Sequence, residues 1–88
     1  MECPNSRADA DLKNAFSAAQ AFFTEHPGGT ADLKKLYDYG FVPSSHVTTI
    51  IRNGRQASLQ IESFHRAGTK VYRVDAPGSI TSGPLWVK

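Results

Sequence analysis

The chain has 88 residues, a length that allows one domain with a single hydrophobic core. Apolar residues make up 40% of it and charged residues 20%, with a net charge of +2, which is typical of a folded domain and excludes a disordered polar tail. The lysines and arginines are scattered along the sequence, so no nucleic-acid surface is predicted.

Targeting signals and disulfides are not indicated either. No apolar run approaches the roughly 20 residues that span a bilayer, and the first residues lack the basic and apolar regions of a signal peptide. The chain is therefore expected either to be cytoplasmic or to come from a precursor whose export segment has been removed. Cys3 is the single cysteine, so no intrachain disulfide can form.

A long amphipathic helix is predicted in residues 1–27. Pro4 and the polar residues after it are typical of a helix start, and no further glycine or proline occurs before Pro27. Apolar side chains recur at spacings of three and four, which predicts one face directed toward the core. That face comprises Ala8, Leu12, Ala15, Phe16, Ala19, Phe22 and Phe23.

A stripe of small side chains lies roughly opposite the bulky face of this helix. It comprises Ala10, Asn14, Ala18 and Ala21. The stripe could admit another helix at close range, or the alanines could be there because alanine is the best helix former on an exposed face. Asp9 and Lys13 have the spacing of a helical ion pair, and Asp9 and Asp11 are interpreted as acids that stabilise the helix N-terminus.

Residues 28–46 are predicted to form a connecting loop that contains a short helix. Thr30 is expected to cap this helix, which extends to about Tyr39, and Gly40 is expected to end it. After residue 46 the sequence becomes rich in β-branched residues, so the β half of the domain is expected to begin there.

Residues 47–88 are predicted to form an antiparallel sheet followed by a tail. Strand patterns occupy residues 47–52, 57–65, 70–75 and 79–81, and Asn53-Gly54 is the strongest short hairpin signal between two of them. Ser82-Gly83-Pro84 is expected to break the last strand, and residues 85–88 could pack back or extend a sheet edge. The predicted fold class is α+β: a four-stranded antiparallel meander with the long helix packed on one face.

No reactive constellation is visible in the sequence. His26, His46 and His65 lack the close spacing of zinc sites, and no Gly-x-Ser-x-Gly motif occurs. The segment Gly28-Gly29-Thr30 lacks the Gly-Lys-Ser/Thr that completes a phosphate loop. We therefore predict no catalytic, metal-binding or cofactor-binding residues, and we do not expect an enzyme.

Residues 5–15, Asn-Ser-Arg-Ala-Asp-Ala-Asp-Leu-Lys-Asn-Ala, resemble the middle of the long first helix of type IV pilins and pseudopilins. Several later segments resemble the same family: residues 19–23, 30–36, 39–44, 47–48, 72–75 and 78–81. The resemblance implies a non-catalytic subunit of an extracellular filament, held on the periplasmic side of the inner membrane before assembly. The alternative it implies is a type II secretion pseudopilin, or a minor pilin that acts as an adhesive binding module.

Two features of the family are absent: the hydrophobic N-terminal half of the helix and the paired C-terminal cysteines. The first absence predicts either a shortened conventional pilin or a split pilin whose hydrophobic helix is a separate short chain. Cys3-Pro4 favours the split pilin, because proline suits a helix start and disrupts the middle of a helix.

The split-pilin hypothesis names a set of partners and a docking surface. The partners are the short helical chain, further copies of this chain and the pilus assembly machinery, with membrane contact only through the helical chain. The residues expected to contact the partner helix are Pro4, Arg7, Ala10, Asn14, Ala18 and Ala21.

Overall fold

The computed structural model describes residues 4–84, so the predictions made for Cys3 and for residues 85–88 lie outside the described residues. Two helices and four strands follow one another along the chain: α1 Pro4–Glu25, α2 Leu33–Asp38, β1 Val47–Asn53, β2 Gln60–His65, β3 Lys70–Asp75 and β4 Ile80–Pro84. The predicted α+β class is confirmed.

The strands form one antiparallel sheet in the order β1-β2-β3-β4. Ile61 on β2 lies opposite Ile51 on β1 and Val74 on β3, which aligns their apolar side chains on one face. Helix α1 covers that face and packs mainly against β2 and β3. The predicted meander and its helical cover are therefore confirmed.

The core lies between α1 and the sheet, and it is closed at one side by residues 28–46, which include α2 and which we call the connecting segment. Leu12 and Phe23 of α1 are almost completely buried, as are Leu59 and Ile61 of the sheet region. The expected apolar face of α1 is confirmed, although Phe16 is only partly buried. Small helix residues, among them the fully buried Ala8, Ala15 and Ala19, leave room for a close approach of the sheet.

Two buried hydroxyl groups interrupt this apolar interface. Thr49 and Ser63 lie directly opposite each other on β1 and β2, and both residues are more than nine-tenths buried. Within the described part of the chain, neither Thr49 Oγ1 nor Ser63 Oγ has a hydrogen-bond partner. A buried hydroxyl without a partner destabilises a fold, so this pair is a weak point in the core.

The predicted hairpin between β1 and β2 is confirmed, but Asn53-Gly54 does not form a tight two-residue turn in it. A type I′ turn needs positive φ at both central residues, and neither Asn53 nor Gly54 has one. Instead, Asn53 Oδ1 accepts a hydrogen bond from Arg55 N (3.0 Å), and the chain makes a short 3-10 helix, Gln56–Ser58, before β2. Gly54 is there for another reason: its carbonyl accepts from Ala31 N (2.7 Å), and an added Cβ would collide with the Ala31 backbone.

The start of α2 also differs from the prediction, whereas its end agrees with it. Asp32, not Thr30, caps α2, because its side chain accepts a hydrogen bond from Lys35 N (2.9 Å), whereas Thr30 forms an isolated bridge with Arg55. Gly40 has a φ of 98° just after α2, as expected of a helix stop.

Ser82-Gly83-Pro84 does not end the last strand, since β4 pairs with β3 as far as Pro84. β4 is an edge strand, where proline is tolerated because one side of the strand needs no hydrogen-bond donor.

Candidate partner-binding surface of the first helix

The predicted contact residues all belong to α1, but they do not share one accessible surface. Arg7, Ala10, Asn14 and Ala21 are exposed, and Pro4 is the first helical residue described. Ala18 is only 4% exposed and belongs to the hydrophobic core. The prediction that Ala18 is open to a partner helix is therefore wrong.

The connecting segment packs beside Ala18, so the buried side of α1 extends beyond the part that faces the sheet. Asp11, Ala15, Ala18 and Phe22 recur at helical spacing, and all of them are buried. The Phe22 ring contacts the Tyr39 ring edge-on, with centroids 5.8 Å apart, and Lys35 Nζ lies 5.4 Å from the centroid of Phe22. The space predicted for a second helix is thus partly filled by the chain itself.

Asp11 attaches the connecting segment to α1. Asp11 is 2% exposed, its Oδ2 accepts a hydrogen bond from Ser44 N (2.7 Å), and its Oδ1 accepts one from Ser44 Oγ (2.7 Å). The interpretation of Asp9 and Asp11 as acids that stabilise the helix N-terminus is therefore wrong, because no acidic residue lies in the first described turn of α1 and Asp11 holds the connecting segment instead. The sequence contained a usable signal, because Asp11 is in helical register with the buried Ala15 and Phe22.

What remains exposed is a surface that we call the helix–loop face. It is formed by Ala10, Asn14, Ser17 and Ala21 of α1 together with Tyr39, Gly40 and Val42 of the connecting segment. A shallow cleft of about 360 Å³ lies within it, lined by Asn14, Ser17, Ala18, Tyr39, Gly40 and Val42.

Apolar groups contribute to this face. Val42 is 76% exposed, and the nearby Tyr37 is 48% exposed and stacks on Phe41 with ring centroids 5.9 Å apart. Burial raises the pKa of the Tyr39 hydroxyl, and the Glu25 carboxylate, to which this hydroxyl donates a hydrogen bond, raises it further. The face therefore combines small, apolar and hydrogen-bonding groups, which suits contact with another protein.

The N-terminal end of α1 is held on the β2–β3 turn by Asn5. Its Oδ1 accepts hydrogen bonds from Thr69 N (3.1 Å) and Lys70 N (3.3 Å), and its Nδ2 donates one to Thr69 Oγ1 (3.1 Å). Gly68 permits the approach, because an added Cβ would lie 2.6 Å from Asn5 Oδ1. We call this arrangement the Asn5 clasp. It gives the start of α1 a fixed position on the sheet.

The described residues offer little for catalysis or metal binding. The fold brings His46 and His65 together, with ring centroids 6.0 Å apart, although they are distant in sequence. His65 Nδ1 already accepts a hydrogen bond from Ala67 N (3.0 Å), and no group of three or more potential metal ligands occurs in residues 4–84. Over the same range, no helix has the length and apolar character needed to cross a bilayer.

The described chain is thus an α+β domain whose helix–loop face is suited to contact with another protein. Comparison of the sequence with models of known protein families found no match, and a search among curated proteins found no similar sequence.

Proposed function

We propose that this chain is a non-catalytic structural subunit of an extracellular, type IV pilus-like filament. One observation carries most of the proposal. Two of the segments that resemble pilins, residues 5–15 and 39–44, lie far apart in sequence and are joined by the hydrogen bonds between Asp11 and Ser44. Residues that resemble the family thus contact one another, which is expected if the resemblance reflects a shared fold.

The architecture gives a second line of support. A long helix packed on a four-stranded antiparallel meander, with a connecting segment along its side, is the arrangement that the resemblance implies. Reactive groups do not converge in the described residues, and the exposed face of α1 carries small and apolar side chains instead. A structural role makes use of such a face, whereas an enzyme would require a site of convergent groups.

In this proposal the subunit pairs with a hydrophobic helix on a separate short chain. The partner helix lies against the exposed side of the first turns of α1, at Arg7, Ala10 and Asn14, where two of the three side chains are small. The Asn5 clasp fixes this end of α1, so the partner would meet a preformed surface and little conformational freedom would be lost on binding.

The subunit changes its location in the cell during filament assembly. Before assembly the domain is held on the periplasmic side of the inner membrane by its helical partner, which is its sole membrane contact. After assembly it packs with other copies of itself in the filament, and the pilus assembly machinery adds it there. The helix–loop face is available for contacts between copies.

The test is to purify the chain from native membrane and filament fractions and to identify its companions by mass spectrometry. We expect a short hydrophobic chain in equal amount. Recovery of this domain on one polypeptide with its own hydrophobic helix would contradict the separate partner, and recovery in neither fraction would contradict the filament role.

Matched variants locate the docking surface. Ala10→Trp should abolish recovery of the short chain, because a bulky ring prevents close helix approach. Ala57→Trp serves as the control, since Ala57 is also exposed and lies in the short 3-10 helix before β2, away from α1. Both variants should keep the circular dichroism spectrum of the unmodified domain. Equal pairing of the two would exclude Ala10 from the docking surface.

A further inference from the structure

Three charged residues lie side by side on the sheet face that points away from α1. Glu62 alternates along β2 with the buried Ile61 and Ser63, so its side chain is on the opposite face. Its Oε1 accepts a hydrogen bond from Arg52 Nε of β1 (3.1 Å), and its Oε2 accepts one from Arg73 Nε of β3 (2.8 Å). One carboxylate thus holds two guanidinium groups next to each other.

Both arginines use only Nε for this contact. A guanidinium has five N–H donors, and within the described part of the chain the terminal Nη atoms of Arg52 and Arg73 donate no hydrogen bond. The arginine side chains are 56% and 54% exposed, whereas that of Glu62 is 14% exposed. The free donors therefore face solvent above a largely covered carboxylate.

The surroundings leave this pair accessible. On the neighbouring strand β4, Thr81 lies directly opposite Arg73, and the end of the Arg73 guanidinium lies beside Gly83, which has no side chain to cover it: an added Cβ would lie 4.0 Å from Arg73 Nη1. Arg52, Arg73 and Glu62 sum to one positive charge, and the Asp75 carboxylate, which lies on the same sheet face and lines the same cleft as Glu62 and Arg73, brings the local sum to zero. Asp75 lies further along β3, and its Oδ1 accepts a hydrogen bond from Ser79 N (3.0 Å).

The pair is also preorganised. Arginine normally loses much rotamer freedom when it binds an anion, which opposes binding. Glu62 has already restricted both side chains, so less freedom remains to be lost. Each guanidinium presents its two Nη groups as a planar fork of donors. Two such forks on different strands match an anion whose oxygens point in several directions, whereas a carboxylate offers two oxygens in one plane.

We propose that Arg52 and Arg73 form a binding site for a tetrahedral oxyanion, a phosphate or sulfate group carried by a partner molecule. Glu62 acts as the positioning residue that fixes both forks. The site is independent of the filament proposal, because it lies on the sheet face opposite α1.

Nuclear magnetic resonance titrations of the isotope-labelled protein test this site. The probes are sodium phosphate, sodium sulfate and sodium acetate, each added at constant ionic strength against sodium chloride. We expect phosphate and sulfate to cause saturable shifts of the Arg52 and Arg73 Nε–H signals and of the Glu62 amide. Acetate should bind at least about tenfold more weakly than either.

Charge-conserving variants provide the control. The double variant R52K/R73K keeps both charges and removes both forks, so its apparent affinity, followed at the Glu62 amide, should fall by about tenfold or more. The variant R55K/R66K changes two other exposed arginines and should leave the affinity unchanged. If the double variant does not give a folded spectrum, the single variant R52K is measured instead.

Three results would overturn the proposal. Shifts that do not saturate would show only general salt effects. Equal affinity in the lysine variant would exclude the guanidinium forks as ligands. Equal binding of acetate would exclude selection for a tetrahedral anion.

Discussion

Replacing Asp11 by asparagine should lower the free energy of unfolding by about 2 kcal/mol. The asparagine amide can still accept a hydrogen bond from Ser44 N and donate one to Ser44 Oγ, so both contacts persist without the negative charge. Hydrogen bonds to charged groups contribute about 1.5–3 kcal/mol and neutral ones about 1 kcal/mol, so each contact loses roughly 1 kcal/mol. Because Asp11 is 2% exposed, water cannot readily replace the loss.

Urea unfolding followed by circular dichroism measures this change. The midpoint should fall at an unchanged slope, because the area exposed on unfolding stays the same. For a domain of this size the melting temperature should fall by roughly 8–16 °C. Asp9→Asn is the matched control: Asp9 forms an exposed ion pair with Lys13 (3.2 Å), and its loss should change stability by no more than about 0.5 kcal/mol.

The outcome that would refute this reasoning is equal stability of the two asparagine variants. The bonds to Ser44 would then contribute no more than a surface ion pair, and the connecting segment would have to be held by its apolar contacts alone. Ser44→Ala, which keeps the backbone donor and removes Oγ, should lower the free energy of unfolding by about 1–2 kcal/mol.

Three further changes test other parts of the fold. Thr49→Val replaces a buried hydroxyl, which has no hydrogen-bond partner among the described residues, by a methyl group. It should raise the urea midpoint by an amount equivalent to about 1 kcal/mol of unfolding free energy. A lower midpoint would mean that the hydroxyl is hydrogen-bonded. Gly68→Ala should destabilise the domain by about 1–3 kcal/mol in a thermal melt, because the added Cβ would lie 2.6 Å from Asn5 Oδ1. Gly28→Ala is the control: its Cβ meets open space, so its melting temperature should be nearly unchanged. Burial alone would raise the pKa of Glu62, but the hydrogen bonds from Arg73 and Arg52 outweigh it and lower that pKa. The stability difference between the unmodified domain and Glu62→Gln should therefore be constant above about pH 5 and shrink as the pH falls below about 4. A difference that grows on acidification would contradict the ion pairs.

Patterns within single elements were sufficient to predict most of the fold. The spacing of apolar residues located α1, and the β-branched and alternating segments located the strands, because both signals are local. Gly40 could be identified as a helix stop for the same reason, since its positive φ is a property of one residue.

Features that depend on contacts between elements were the ones that sequence reasoning missed. Ala18 and Asp11 lie under the connecting segment, and a helical wheel of α1 alone does not show what covers its second side. Asn53-Gly54 carries a hairpin signal, but Gly54 is needed for its close approach to Ala31, and that tertiary contact overrides the local preference.

The candidate surfaces divide in the same way. The exposed side of α1 could be predicted in part, since Arg7, Ala10, Asn14 and Ala21 are accessible as expected. No pattern within a single strand indicated that Arg52 and Arg73 share Glu62, because their proximity follows from the register of three strands. Once a four-stranded meander was predicted, opposite charges on neighbouring strands would have been the signal to examine.

The Asn5 clasp links two parts of the chain that are 64 residues apart in sequence. The clasp depends on the pairing of β2 and β3, because the turn between these strands supplies its hydrogen-bond partners. By thermodynamic linkage, any molecule that recognises the clasped end of α1 must stabilise the sheet, and any loss of the sheet must weaken that recognition by the same free energy. The start of α1 is therefore held in place only when the sheet is folded, and a partner that binds there would discriminate against unfolded copies.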